Sequence, residues 1–150
     1  MAVLQSTFSE DPGYGFPGMD ADGELENAIS LTLEGSTACA FGRPVYRGSG
    51  DRGATLTVSA ALRGFAASRT GLPVTSDRAA DTYAPGDTMR VKERGKIWVT
   101  SATTCTDGQQ VYVTSAGAIS NSSGGGNTAA TGWFFDDTIT VAGLVRIARR

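Results

Sequence analysis

Apolar residues occupy every second position in several short stretches of the chain, and turns rich in glycine and proline separate these stretches. Ile29, Leu31 and Leu33 alternate with polar neighbours, so residues 24–34 are predicted to form a strand with one buried face. Similar stretches predict further strands over residues 38–47, 56–58, 62–66 and 138–147. Pro44 places the second strand at a sheet edge or a bulge, because proline donates no ladder hydrogen bond.

Two hairpins are predicted in the second half of the chain. Residues 89–100 are expected to turn at Arg94-Gly95, and residues 111–120 at Ala116-Gly117, since alternating apolar residues flank a glycine in both places. Residues 121–132 are rich in Gly, Ser, Asn and Thr and predict an exposed loop.

The chain of 150 residues is long enough for one domain with its own core. Many short strands need a second sheet or a closed ring to cover their apolar face. The predicted fold is therefore all-β, a jelly-roll-like β-sandwich or barrel over residues 23–150.

Residues 1–22 are predicted to form an extended N-terminal arm. Five helix-breaking residues lie in it: Pro12, Gly13, Gly15, Pro17 and Gly18. Phe8, Tyr14 and Phe16 are apolar anchors that need a surface to pack on. Two placements remain open, since the arm can lie across another protein or fold back on its own domain.

The charge is distributed unevenly along the chain. Residues 1–34 contain seven acidic side chains and no Lys or Arg, whereas residues 35–150 hold eight acidic and thirteen basic ones. The two parts carry −7 and +5, which leaves the net charge of −2. The acidic part either docks on a neighbouring copy or another basic partner, or serves solubility alone. No Lys/Arg-rich stripe with interleaved aromatics is present, so no nucleic-acid partner is predicted.

The residues that commonly carry catalysis or bind metals are sparse. The absence of histidine removes Ser-His-Asp and Cys-His arrangements and His-ligated metals. Cys39 and Cys105 lack the spacing of a zinc or redox site and are interpreted as small buried hydrophobes, although a disulfide stays open. Asp136 and Asp137 would point to opposite faces of a strand and are interpreted as a turn. No catalytic residue, metal site or cofactor is predicted.

Membrane and export segments are also not evident in the sequence. The N-terminus lacks a basic region followed by a long apolar core, and no apolar run approaches the roughly 20 residues of a membrane span. We expect synthesis in a cytoplasm and no membrane partner.

Trp98 is expected to face away from the core, because it alternates with Ile97 and Val99. Such a residue is exposed or covered by another subunit. An exposed aromatic on a β-sandwich can also stack on sugars, so a carbohydrate-binding or adhesin-like module is the alternative function. A small glycan hydrolase using Asp or Glu is a third hypothesis, which requires two facing carboxylates in a cleft.

The order of several motifs resembles the head decoration (structural cement) proteins of tailed bacteriophages. These motifs are Phe41-Gly42-Arg43-Pro44-Val45, Gly50-Asp51-Arg52-Gly53, Tyr83-Ala84-Pro85-Gly86-Asp87-Thr88, Arg94-Gly95-Lys96-Ile97-Trp98-Val99, Gly108-Gln109-Gln110-Val111-Tyr112-Val113, Gly117 and Gly126-Asn127-Thr128. They span most of residues 38–149, and the Pro/Gly-rich arm also fits.

The resemblance implies a virion protein made in the bacterial host cytoplasm. It would form a homodimer or homotrimer on the outside of an HK97-like shell, where it bridges copies of the major capsid protein without catalytic residues. Under this interpretation Phe8, Tyr14 and Phe16 clasp the shell or a sister subunit, and Trp98 lies at an interface. Arg146, Arg149 and Arg150 pair with carboxylates across an interface, including those of the arm.

Overall fold

The computed structural model describes residues 15–76 and 78–150, and these residues form strands, turns and bends without a helix. The strands are β1 (Asn27–Leu33), β2 (Cys39–Ala40), β3 (Pro44–Arg47), β4 (Gly53–Thr55), β5 (Leu62–Ala66), β6 (Thr82–Tyr83), β7 (Thr88–Ser101), β8 (Gln110–Val113), β9 (Ile119–Ser120), β10 (Thr128–Phe135) and β11 (Gly143–Arg149). The described part of the chain contains no helix with the length and hydropathy of a transmembrane span.

Nine strands form one sheet that closes on itself twice. The order β1-β4-β3-β5-β7 closes through the pairing of β1 with β7, and the order β7-β11-β10-β8-β9 closes through the pairing of β7 with β9. Strand β7 therefore belongs to two rings, and β2 and β6 form a separate pair. The all-β prediction is confirmed and the sheet is barrel-like, whereas the jelly-roll arrangement is not confirmed.

Each ring surrounds its own hydrophobic core. Leu31, Val45, Tyr83, Met89 and Val91 are among the buried residues of the first core. The residues of the second core include Phe65, Ile97, Val99, Trp133 and Ile147. The two rings of strands share β7. The aromatic side chain of Phe65 in β5 packs edge-to-face against Trp133.

The predicted hairpin over residues 89–100 is wrong, because β7 runs through Gly95 as one strand of 14 residues. Met89 and Val91 enter the first core, while Ile97 and Val99 enter the second. Gly95 has a φ of +104°, and a Cβ there would lie 2.9 Å from the Cβ of Glu26. The glycine thus marks a close approach of another segment and not a turn.

The second hairpin is confirmed, since β8 pairs antiparallel with β9 around Gly117, whose φ is +81°. The predicted strand over residues 38–47 is divided into β2 and β3 by a turn at Gly42, and Pro44 begins β3. The predicted loop over residues 121–132 is shorter than expected, because β10 already begins at Thr128.

The two cysteines are free and lie in different cores, Cys39 in the first and Cys105 in the second. The prediction of small buried side chains is confirmed, and the disulfide that the sequence left open is absent. Burial raises the pKa of the Cys39 thiol to about 12, so this thiol stays protonated at neutral pH.

We expect neither thiol to react with Ellman's reagent at pH 8 in the folded protein, because the nucleophilic thiolate is scarce and access is blocked. Both thiols should react within minutes after unfolding in guanidinium chloride. Rapid reaction of either thiol in the native protein would contradict this assignment of the cores.

Candidate functional site

Residues 15–21 lie along the middle of β7 at the junction of the two rings. The Gly18 amide donates to the Trp98 carbonyl at 2.7 Å, and the Trp98 amide donates to the Met19 carbonyl at 2.9 Å. The Ala21 amide donates to the Lys96 carbonyl at 3.2 Å. This part of the predicted arm therefore folds onto its own domain, while Phe8 and Tyr14 lie outside the described residues.

Trp98 faces away from the core, as predicted, and is half-buried between Ile97 and Val99, which are fully buried. Gly15 of the same chain packs against the Trp98 indole so closely that a Cβ on this glycine would lie 2.7 Å from the indole. The Trp98 side chain is therefore partly covered by its own chain. The guanidinium of Arg146 lies 5.7 Å from the indole centroid, a cation–π geometry.

Arg146 is also held by Asp137, to which its Nε donates at 2.9 and 3.0 Å. Burial alone would raise the pKa of Asp137, but the hydrogen bonds from Arg146 hold this pKa below its usual value. The predicted interface residues Trp98 and Arg146 thus lie together with Asp137, joined by a cation–π contact and by hydrogen bonds.

Phe16 has 47% of its surface exposed and borders an open groove of about 250 Å³. Phe41 and Leu72 supply apolar lining to this groove, and Arg69 and Asp81 supply charge. An exposed phenylalanine beside a partly apolar groove is a candidate anchor for a partner.

Residues 20–26, called here the acidic segment, lie against the basic residues of β7. The Lys92 side chain is fully buried, and its ammonium contacts the carboxylate of Asp20, that of Glu26 at 2.6 Å and the Lys96 carbonyl at 3.1 Å. Arg90 reaches Asp20 at 2.9 Å and Glu26 at 3.4 Å. Burial alone would raise the pKa of Asp20, but hydrogen bonds from Lys92 and Arg90 lower it.

Lys96 is the second centre of this charge network. Its ammonium lies 3.0 Å from Asp22, 3.1 Å from Glu24 and 3.0 Å from Asp136. Hydrogen bonds to Asp136 and Asp22 raise the pKa of Lys96 above its ordinary value. Arg150 joins the network through Asp136 at 3.0 Å and Glu24 at 3.4 Å. The acidic segment therefore finds its basic partners within the chain.

A second groove, called here the arginine groove, has a volume of about 730 Å³. Its lining consists of Asn27, Leu62, Arg63, Glu93, Arg94, Arg149 and Arg150. The Glu93 carboxylate pairs with Arg63 at 3.2 Å and accepts a hydrogen bond from the side-chain amide of Asn27 at 3.0 Å. The backbone carbonyl of Glu93 accepts from the Arg149 guanidinium at 3.2 Å. Arg94 is exposed and, like Arg149, forms no ion pair with a carboxylate of residues 15–76 or 78–150.

The structure thus separates the predicted interface residues into three places. Trp98 and Arg146 lie together, Arg149 and Arg150 line the arginine groove, and Phe16 lies at a separate groove. The basic residues of β7 were not predicted as site residues. Their signal is visible as a cationic residue at every second position, namely Arg90, Lys92, Arg94 and Lys96.

The carbohydrate-binding alternative is not supported by the placement of the aromatic side chains. Trp133 is fully buried, Trp98 is covered by Gly15, and the exposed aromatics of the described residues are Phe16 and Phe134. Asp136 and Asp137 serve different ion pairs, with Lys96 and Arg146 respectively. The aromatic side chains of residues 15–76 and 78–150 therefore form no row of exposed rings on which a sugar could stack.

The chain belongs to the structural cement protein family (E217 gp24/Pam3 gp6), whose model matches residues 4–150. This family consists of structural phage proteins, so the protein is a capsid-associated component of a virion.

A chain in the solved structure of the capsid of Myoviridae phage XM1 has a similar fold. It is 15% identical in sequence, the alignment covers 97% of each chain, and the TM-score is 0.73. No curated protein matches the sequence.

Proposed function

We propose that the protein binds the outer surface of an HK97-like capsid shell as a homodimer or homotrimer and bridges neighbouring copies of the major capsid protein. The observation that carries this proposal is the match to the structural cement family over residues 4–150. The resemblance in fold to a phage capsid chain supports it. The protein would be made in the host cytoplasm and join the shell from outside.

The mechanism is multivalent binding by a rigid body. Several modest contacts on one oligomer add up, because the first contact raises the effective concentration of the others. The double-ring fold supports this mechanism, since two cores joined through β7 hold distant surfaces in a fixed relation. Phe8, Tyr14 and Phe16 are the proposed apolar anchors, and the Trp98–Arg146 pair is a proposed polar contact at the interface.

The test is cosedimentation of the purified protein with expanded, undecorated capsids of its own phage at low and moderate salt. Saturable binding at a fixed ratio to the capsid subunit is expected, and the ratio reports the symmetry of the oligomer. Absence of binding at both salt concentrations would refute the proposed function.

Removal of residues 2–14 is expected to lower the affinity for capsids at least about tenfold, because two of the three proposed anchors are lost. The circular dichroism of the β-fold should remain unchanged, since the two cores of the described residues, and every strand given above, lie after residue 14. The matched control is Val74→Ser, which removes an exposed apolar side chain elsewhere on the surface. Full binding by the shortened chain would show that the arm does not clasp the shell.

A further inference from the structure

Within the described residues the arginine groove holds more positive than negative charge, although the net charge of the protein is −2. Four guanidiniums and one carboxylate line it. Arg63 is paired with Glu93, and Arg150 is paired with Glu24 and Asp136. No carboxylate of residues 15–76 or 78–150 pairs with Arg94 or Arg149, and Arg149 donates only to the Glu93 carbonyl among these residues, so both of these guanidiniums can bind a further carboxylate.

The chemistry of these groups favours carboxylates as the ligand. A guanidinium presents a planar fork of donors that matches a carboxylate in a bidentate geometry. A nucleic acid fits less well, because no aromatic side chain lines the groove and the protein has a pI of about 5.0. The expected partner is thus a protein segment with two neighbouring acidic side chains.

The chain itself contains such a segment. Residues 1–14 include two charged side chains, Glu10 and Asp11, and both are acidic and adjacent. They match the two available guanidiniums in number and in sign. We propose that the arginine groove receives Glu10 and Asp11 of a second copy of this chain, so that each arm fastens a sister subunit; this inference rests on the homo-oligomer of the proposed function.

The described chain starts at Gly15, which lies beside Trp98 and not at the arginine groove. Gly18 lies at Trp98 and Ala21 at Lys96, so this segment runs along β7 toward the arginine groove. The residues before Gly15 therefore start from the opposite end of this path. A contact with a second copy follows from the homo-oligomer of the proposed function, and the self-association measured below separates it from a contact within one copy.

Charge reversal on each side of the contact tests the proposal in solution, without capsids. The arm variant is E10R/D11R and the groove variant is R94E/R149E, and self-association is measured by sedimentation velocity across a concentration series. Each variant alone should associate at least about tenfold more weakly than the wild type, because like charges then face each other. An equimolar mixture of the two variants should recover association.

The degree of recovery distinguishes a dimer from a trimer. In a mixed dimer both reciprocal contacts join opposite charges, so recovery is complete. In a closed ring of three, one contact always joins two copies of the same variant, so recovery is partial. A single chain that carries all four substitutions should associate as the wild type does in either case.

Two controls separate the contact from effects on folding and on total charge. R47E/R52E makes the same change of net charge at two exposed arginines outside the groove and should associate normally. R94E alone leaves the Arg149 hydrogen bond to Glu93 intact and should still weaken association. Circular dichroism and thermal unfolding confirm that each variant is folded.

A wild type that remains monomeric at every concentration would overturn the proposal, as would unchanged association of the groove variant or a mixture that fails to recover. A groove variant that associates normally but no longer cosediments with capsids would assign the groove to the shell instead, and the proposed function would stand. Binding of labelled DNA that is lost in the groove variant would assign it to nucleic acid. If the mixture of the two variants recovers association but the wild type does not bind capsids, the contact between subunits is supported and the proposed capsid function is refuted.

Discussion

The substitution Gly64→Ala is expected to lower the free energy of unfolding by about 3 kcal/mol or more. Gly64 lies in β5 with a φ of +153°, which residues with a side chain rarely adopt. A Cβ at this position would lie 2.1 Å from the Lys92 carbonyl oxygen and 2.8 Å from the Lys92 carbonyl carbon. Both contacts are with backbone, so a rotamer change cannot relieve them.

The consequence extends to both cores, because β5 joins them. Phe65, the next residue, packs in the second core, and Ala66 packs in the first. Moving β5 away from β7 would therefore disturb the packing of two rings at once. The melting temperature should fall by roughly 10 °C.

Equilibrium unfolding in urea, followed by tryptophan fluorescence, measures this effect. The matched control is Gly143→Ala in β11, where a Cβ meets no atom within 4 Å and φ is not positive. The control should change stability by less than about 0.5 kcal/mol. Equal stability of both variants would contradict the close approach of β5 to β7.

Some of the strands could be predicted from the sequence, because alternation is a local property of the chain. The predicted strand over residues 56–58 is wrong, and the short strands β4 and β6 were not predicted. The alternation of Leu31 and Leu33 and the glycine at Gly117 led to β1 and to the β8–β9 hairpin. The closure of the two rings could not be predicted in this way, since it depends on pairs distant in sequence, such as Leu31 with Met89 and Ser101 with Ile119.

Gly95 illustrates the same limit at one residue. A glycine between two alternating stretches is typical of a hairpin turn, and it is equally required where another backbone comes close. Local sequence does not distinguish these cases. The approaching residue is Glu26, which precedes Gly95 by 69 positions and belongs to the acidic segment.

The residue types of the candidate site could be predicted from the sequence, but which acidic residue pairs with which basic residue could not. The excess of acids in residues 1–34 was visible in the sequence, but their pairing with Lys92 and Lys96 follows from the path of residues 18–21 along β7. Trp98 was placed correctly because its orientation depends only on its neighbours. Its cover by Gly15 depends on the same path and was not predictable.

The substitution Lys92→Met is expected to lower the free energy of unfolding by about 2 kcal/mol at pH 7. Lys92 is fully buried, and methionine of similar size fills its space without the charge. Asp20 and Glu26 would then lose the ammonium between them and retain Arg90 alone. The expected loss is smaller than for a fully buried pair, because the side chains of Asp20 and Glu26 are 37% and 41% exposed.

The effect should depend on pH in a defined direction. The hydrogen bonds from Lys92 and Arg90 outweigh the effect of burial and lower the pKa of Asp20 below the ordinary value of 3.8. A depressed carboxyl pKa contributes stability that is present above the unfolded-state pKa and is lost as the pH falls through the folded-state pKa. The difference in stability between wild type and K92M should therefore be constant from pH 5 to 7 and shrink below about pH 4.

The control for the lost charge is Arg52→Met at an exposed position, which should change stability by less than about 0.5 kcal/mol. A K92M protein as stable as the wild type at pH 7 would mean that packing, and not the ion pairs, holds the acidic segment on β7.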